Sequence, residues 1–273
     1  MSEIRCEVCF RHCILNEGRT GFCRARMNQN GQNVCTGYGR ITSLALDPIE
    51  KKPLARFFPG SMILSAGSYG CNLACPFCQN WQISMADETS VHYETVSAEE
   101  LSAVVLRTEG NLGIAFTYNE PLISWEYIRD VAKLVKPYGK KVVVVSNGCA
   151  SPSVLMELEP YVDAMNIDLK GDDACYREFG GSYEQAKETI ERMHTHCHVE
   201  VTSLIIPGKN DSEEWVEKEA KWLASLDPSI VLHLTRYFPN WKYDLPATPK
   251  ETIWKLQKTA SQFLETVLTG NMI

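Results

Sequence analysis

No apolar run in the chain approaches the roughly 18 residues of a membrane span, and the first residues, MSEIRCEVCFRHC, are charged from the third position. That start lacks the apolar core of a secretory signal. Basic blocks are missing as well. The formal net charge is −7, and Lys51-Lys52 and Lys140-Lys141 are too short to track a phosphate backbone, which argues against a nucleic-acid partner. There are no internal repeats and no low-complexity linker. An even disulfide framework is also absent: the 11 cysteines include many two or three residues apart, a metal-ligand spacing. Reduced thiols without a leader or membrane anchor imply a cytoplasmic protein.

What is present is an alternating pattern. At 273 residues and 44% hydrophobic content, one domain with an appendage and a sizeable core is expected. Strand-like runs fall at 62–66, 113–117, 141–146, 164–169, 199–206 and 230–235, each short and bounded by Gly, Pro, Asn or Asp. Helical patterns lie between them at 98–108, 125–136, 153–159, 183–196 and 213–225, with a last one at 250–268. Ser97 with Glu99 and Glu100 caps the first. Such alternation implies right-handed βαβ units and a parallel sheet, either doubly wound or curved into a partial barrel. Residues 1–60 differ: they hold Cys6, Cys9, Cys13, Cys23 and Cys35 with little periodicity. A segment this small cannot bury its own core, so it is expected as a metal-stapled piece docked on a barrel of residues 61–273.

The stretch GCNLACPFCQNW sets Cys71, Cys75 and Cys78 in a C-x3-C-x2-C array. Three thiolates leave one iron of a [4Fe–4S] cluster without a protein ligand, and an open metal position is where a small molecule binds and reacts. The other reading is a zinc site that borrows a fourth ligand. Trp81 either shields the cluster edge or packs below the rim. FTYNEP (116–121), SNG (146–148), DLK (168–170) and Pro207-Gly208 each follow a strand, the end of a parallel barrel that carries chemistry. Pro121 holds Glu120 extended, where it serves as a ligand-binding carboxylate or a helix cap. Asp168 and Lys170 share a strand face, as a functional pair or a plain ion pair. LHLTRYFP brings His233 and Arg236 to the rim. His194, His196, Cys197 and His198 cross a helix–strand boundary and read as structural. Cys6, Cys9, Cys13 and Cys23 supply four soft ligands that suit zinc or a second iron–sulfur cluster equally. Cys35 is a spare, and Cys149, Cys175 and Cys197 are small buried hydrophobes. For Cys149 a second role is open, a hydrogen-atom donor facing the active site.

With Phe77 before its third cysteine, the loop resembles that of the radical S-adenosylmethionine (SAM) enzymes. More narrowly, CEVCFRHC, EGRTGFCRAR, DPIEKKPLARFFPGS, GCNLACPFCQNWQIS, FTYNEP, HLTRYFP and the closing GN resemble the radical SAM proteins of the AmmeMemoRadiSam system, from Cys6 to Asn271. Those proteins are homologues of pyruvate formate-lyase activating enzymes, and they commonly continue past the GN with a cysteine-bearing tail. The resemblance implies a (β/α)6 partial TIM barrel. It implies that Cys71, Cys75 and Cys78 hold a [4Fe–4S] cluster whose open iron chelates SAM. Reductive cleavage would then yield methionine and a 5′-deoxyadenosyl radical for hydrogen abstraction. Phe77, Asn119, Glu120, Ser146, Asn147, Asp168, Lys170 and Arg236 are the implied SAM-binding residues. Tyr118 and Asn119 stand where glycines are usual. Flavodoxin or ferredoxin is implied as the electron donor, since no flavin site is visible. The substrate is expected to be a glycine of a partner enzyme or a small molecule of the same system. A metal-stapled binding protein without SAM chemistry is the reading from another class.

Overall fold

The computed structural model describes residues 3–272. One eight-stranded sheet runs through it with neighbours in chain order. Its strands are β1 (Ser43–Pro48), β2 (Met62–Gly67), β3 (Asn111–Phe116), β4 (Lys141–Ser146), β5 (Ala164–Asp168), β6 (His198–Ile205), β7 (Val231–Arg236) and β8 (Val267–Gly270). Strands β2 to β8 pair in parallel, and β1 lies antiparallel on the edge of β2. A doubly wound sheet reverses its strand order partway; this one never does, so it is the one-way winding of a partial barrel.

The helices longer than one turn are α1 (Ala98–Arg107), α2 (Trp125–Val135), α3 (Pro152–Leu158), α4 (Asp173–Phe179), α5 (Tyr183–Met193), α6 (Glu213–Leu226) and α7 (Lys250–Ala260). Ser97 and Glu100 close a reciprocal capping box on α1. Alternate strand residues face opposite sides. Val142 and Val144 of β4, like Ile114 of β3, join the outer core under the helices. Val143, Ala115 and Ala164 face inward on Ile49 and Leu54, which plug the barrel floor. Both faces of β4 are therefore buried, which is why KVVVVS is continuously apolar instead of alternating.

Glu200 anchors the plug. Fully buried on β6, it accepts from the Ala55 and Arg56 N–H groups (2.9 and 2.7 Å) and from His198 and His233 (2.9 and 2.5 Å). The cysteine-rich segment docks on the barrel flank. Arg26 donates through Nε to the Ile123 carbonyl (2.7 Å) and forks onto Glu126 (2.7 and 2.5 Å), while Ser151 N–H donates to the Val8 carbonyl (2.9 Å).

Three elements depart from expectation. The terminal pattern at 250–268 is not one helix: α7 stops at Ala260 and Val267–Gly270 becomes a seventh parallel strand. Ser43–Pro48, within the segment of weak periodicity, adds β1. The short α4, capped by Asp172 and ended by Gly180, precedes α5. Among the described residues no helix is long and apolar enough to cross a membrane.

Candidate active site

The loop after β2 carries the three cysteines into a cavity of about 900 Å³ at the C-terminal ends of the strands. Cys71, Cys75, Phe77 and Cys78 line it, together with Asn119, Glu120, Ser146, Asn147, Asp168 and Lys170. Further residues sequence reading passed over also line it: Tyr118, Thr202 and Thr235, with Leu268–Asn271 on β8 and beyond. Thr202 and Thr235 share strand parity with Glu200 and His233, so alternation was the signal that could have found them. Residues of both sheet edges, Glu50 and Lys51 beside β1 and Leu268–Asn271 on β8 and beyond, line the cavity, so it reaches the seam between them.

Backbone and side-chain bonds hold the loop. Gly70, at φ +85°, runs against the Cys23 carbonyl oxygen, which a Cβ would approach to 2.3 Å; only glycine fits there. Asn240 donates to the Cys78 carbonyl (2.8 Å) and Ala74 N–H to the Phe179 carbonyl (3.0 Å). Phe77 packs edge-on to Phe179, with centroids 4.9 Å apart. Trp81 stacks on Trp241 at 5.8 Å and is 38% exposed, an aromatic pair that follows the loop and lies outside the cavity lining.

Glu120 is buried at the end of β3. It caps its own 3-10 turn by accepting from Leu122 N–H (3.0 Å), and also accepts from Ser146 Oγ and Asn147 N–H (both 2.8 Å). Burial pushes its carboxyl up to about 7, against the lowering effect of these three donors. Asn119 is likewise engaged, accepting from Ser68 N–H (3.0 Å) and donating to the Tyr69 and Gly70 carbonyls (both 3.1 Å). Asn147 reaches over the loop, donating to Asn72 Oδ1 (2.8 Å) and toward Cys71 Sγ (3.6 Å).

Lys170 meets Asp168 at 2.7 Å. Burial alone would lower the lysine, but the Asp168 carboxylate and the Cys75 thiol outweigh it and hold it above its ordinary range. One sequence expectation is corrected. Arg236 alternates with Thr235 and is absent from the cavity lining; its Nε donates to the Thr248 carbonyl (2.6 Å) and its guanidinium stacks on Phe238. Cys149 is the small buried group expected, 1% exposed, with its thiol donating to the Ser182 carbonyl at 3.4 Å and outside the cavity lining that its second role required.

Among the described residues no three His, Cys, Asp or Glu close on one point as a single metal ion requires. A [4Fe–4S] cluster asks something different: each thiolate binds a separate iron, so the thiols need only line one cavity. These do. Burial pushes the Cys71 thiol well above its ordinary range and Cys75 up to about 11. Leu73 N–H points at Cys71 Sγ (3.3 Å), and Lys170 faces Cys75, so donors and a cation await negative sulfur. The donor set fits the cluster, with no fourth cysteine in the lining.

Fold and site together define an enzyme built around a three-cysteine iron–sulfur loop in a partial barrel. The family model described as the radical SAM superfamily matches residues 66–223, and the chain belongs to that superfamily, whose general mechanism is SAM cleavage at an iron–sulfur cluster. The chain is 36% identical to the uncharacterized protein MJ0808 of Methanocaldococcus jannaschii, across 99% of this chain and 82% of that one. It is 26% identical to the pyruvate formate-lyase-activating enzyme of Clostridium pasteurianum, over 72% of this chain and 89% of that enzyme. Among solved structures, a domain of the pyruvate-formate lyase-activating enzyme from Bacteroides vulgatus superposes with TM-score 0.51 at 22% identity, covering 58% of this chain and 99% of that domain. Streptococcus suis SuiB bound to SAM superposes with TM-score 0.59 at 12% identity, over 74% of this chain and 48% of that one; both show the shared fold.

Proposed function

We propose that the chain binds SAM in the cavity and directs the resulting 5′-deoxyadenosyl radical at a glycine of a partner enzyme, as an activating enzyme. The observation that carries this is the placing of Cys71, Cys75 and Cys78 in one cavity with the strand-end groups Asn147, Asp168 and Lys170. When bound, the cluster supplies the electron that cleaves the sulfonium. The chain's residues do the rest. Lys170 presents a cation to the SAM carboxylate, Asp168 an anion to its amino group, and Asn147 an amide at the same end. Glu120 and Ser146 keep the β3 and β4 ends in register beneath them. Phe77, buried against Phe179, excludes water at the loop. A flavodoxin or ferredoxin would deliver the electron.

A cavity that reaches the seam between the sheet's edges favours a protein loop as substrate, in line with the names of the activating-enzyme relatives. A small molecule is the second reading, and the polar inner lining of Thr202, His233 and Thr235 favours it. Electron paramagnetic resonance on the anaerobically reconstituted enzyme with SAM, reductant and each candidate partner separates them. A glycyl-radical doublet on a partner supports activation. SAM consumption that rises with a metabolite, and with no partner, replaces activation by the small-molecule reading.

A further inference from the structure

Of four cysteines outside the cavity, two, Cys9 and Cys23, touch the loop that lines it. Cys6 N–H donates to the Cys13 carbonyl at 2.9 Å, and Cys9 has Cys6 and Cys13 as charge neighbours, as Cys23 has Cys6 and Cys9. The Cys23 carbonyl lies against Gly70, one residue from Cys71. The Cys9 thiol is in hydrogen-bond reach of the Asn72 side chain. Arg11 donates to the Asn72 carbonyl at 2.6 Å and stands within charge range of Cys9, Cys13 and Cys71 at once. Beside Cys23, Arg24 Nη1 is buried with no hydrogen-bond partner, while Asn33 Nδ2 donates to Cys6 Sγ at 3.3 Å. The Arg24 guanidinium lies 5.6 Å from the Phe22 ring, which Arg11 also covers, and its orphaned N–H lacks an acceptor that an anionic assembly at Cys23 would provide.

We propose that Cys6, Cys9, Cys13 and Cys23 hold a second iron–sulfur cluster that relays electrons to the catalytic one. A purely structural ion needs no contact with the catalytic loop; this site touches it at Gly70 and Asn72 and shares Arg11 with it. The donor would dock on the outer side of the segment, whose exposed charges, Arg5 and Arg19 with Glu3, Glu7 and Glu17, are mixed. A low-potential one-electron donor protein docked there is oxidised by one electron, the second cluster is reduced by one, and the same electron passes across Cys23–Gly70–Cys71 to the catalytic cluster. No proton or atom moves in the relay.

The inference rests on the Cys71 loop being the site of SAM cleavage, and the test separates the two. The full chain and two variants are reconstituted anaerobically: Cys71→Ala/Cys75→Ala/Cys78→Ala, and Cys6→Ala/Cys9→Ala. The expected contents are about eight iron and eight sulfide per unmodified chain and about four of each in both variants, from two four-iron clusters. The triple variant keeps a reduced-cluster resonance that SAM does not alter. In the N-terminal variant, 5′-deoxyadenosine formation driven by reduced flavodoxin falls at least tenfold further than formation driven by dithionite. Arg24→Gln, which keeps all ligands, guards against misfolding: it retains about eight iron and shifts the second cluster's resonance. One zinc per chain with about four iron overturns the proposal, as does an equal fall with both reductants. If the unmodified chain forms no 5′-deoxyadenosine even with dithionite, the catalytic reading fails instead, and the iron count of the triple variant still decides the second site.

Discussion

At the ends of β3 and β4 the polar side chains bond to one another and to the cysteine loop, whereas at the ends of β5, β6 and β7 they bond elsewhere in the barrel and leave that loop alone. Glu120 satisfies three donors and Asn119 ties down residues 68–70. Across the barrel, Lys170 pairs with Asp168, Thr202 with Asn166, His233 with Glu200 and Thr235 with the Ser203 carbonyl, and Lys170, Thr202, His233 and Thr235 all line the cavity. Side chains in the first half thus hold the cysteine loop in position, and those in the second, bonded away from that loop, present their remaining polar surface to a ligand. Mutations in the two halves should therefore fail differently: the first through stability and cluster retention, the second through SAM binding with stability intact.

The severest break is Gly70→Ala. Its Cβ would meet a backbone carbonyl at 2.3 Å in a left-handed conformation, so denaturant unfolding should show a loss of about 4 kcal/mol and iron retention should drop. Glu120→Ala strands buried Leu122 and Asn147 N–H groups, and about 3 kcal/mol should go in the same measurement. Glu200, on the plug, tests the floor by pH. Burial raises its carboxyl, but the His198, His233, Arg56 and Ala55 donors win and hold it at about 2 in the folded state against 4.5. Its contribution, about 3 kcal/mol, is present above pH 4.5 and lost as pH falls through about 2. Glu200→Gln should abolish that acid limb in unfolding curves.

Glu219 lies outside both halves, buried on α6 with its carboxyl bonded to Ser203, and burial raises it to about 8. The folded state favours its protonated form, so stability is full below pH 4.5 and lost as pH rises through about 8. Glu219→Gln should remove that decline and raise stability at pH 8 by about 2 kcal/mol, without touching SAM affinity. The smallest stability change belongs to Lys170→Met, under about 1 kcal/mol because the pair is partly solvated. SAM affinity, read by equilibrium binding to the reconstituted protein, should fall at least tenfold. A large stability loss there would erase the distinction between the two halves.

The six principal strands were legible because each is a β-branched or apolar run between turn residues, and KVVVVS is found at Lys141–Ser146 as expected. Val267–Gly270 was not legible: four residues after an amphipathic helix continue its pattern by eye, and only pairing with Leu232–Thr235 makes them a strand. Ser43–Pro48 escaped for the same reason, since its identity comes from β2 across the ladder. In the site, the cysteine spacing and strand-end placement were readable from local pattern. Arg236 was misplaced although parity with His233 assigns it to the opposite face. The duty of Glu120 to Ser146 and Asn147 was hidden because it depends on how β3 and β4 ends meet in space. Likewise, nothing in the order of the cysteines says that Cys23 touches Gly70.

The central claim is that Cys71, Cys75 and Cys78 hold the cluster at which SAM is cleaved in this cavity. Its most direct test is 5′-deoxyadenosine release by the anaerobically reconstituted, dithionite-reduced protein, beside the variant with all three cysteines changed to alanine. The unmodified protein should release the nucleoside in proportion to time and enzyme, and the variant should release none while remaining folded. Release by the variant at the unmodified rate, or none from the cluster-loaded unmodified protein, would contradict the account.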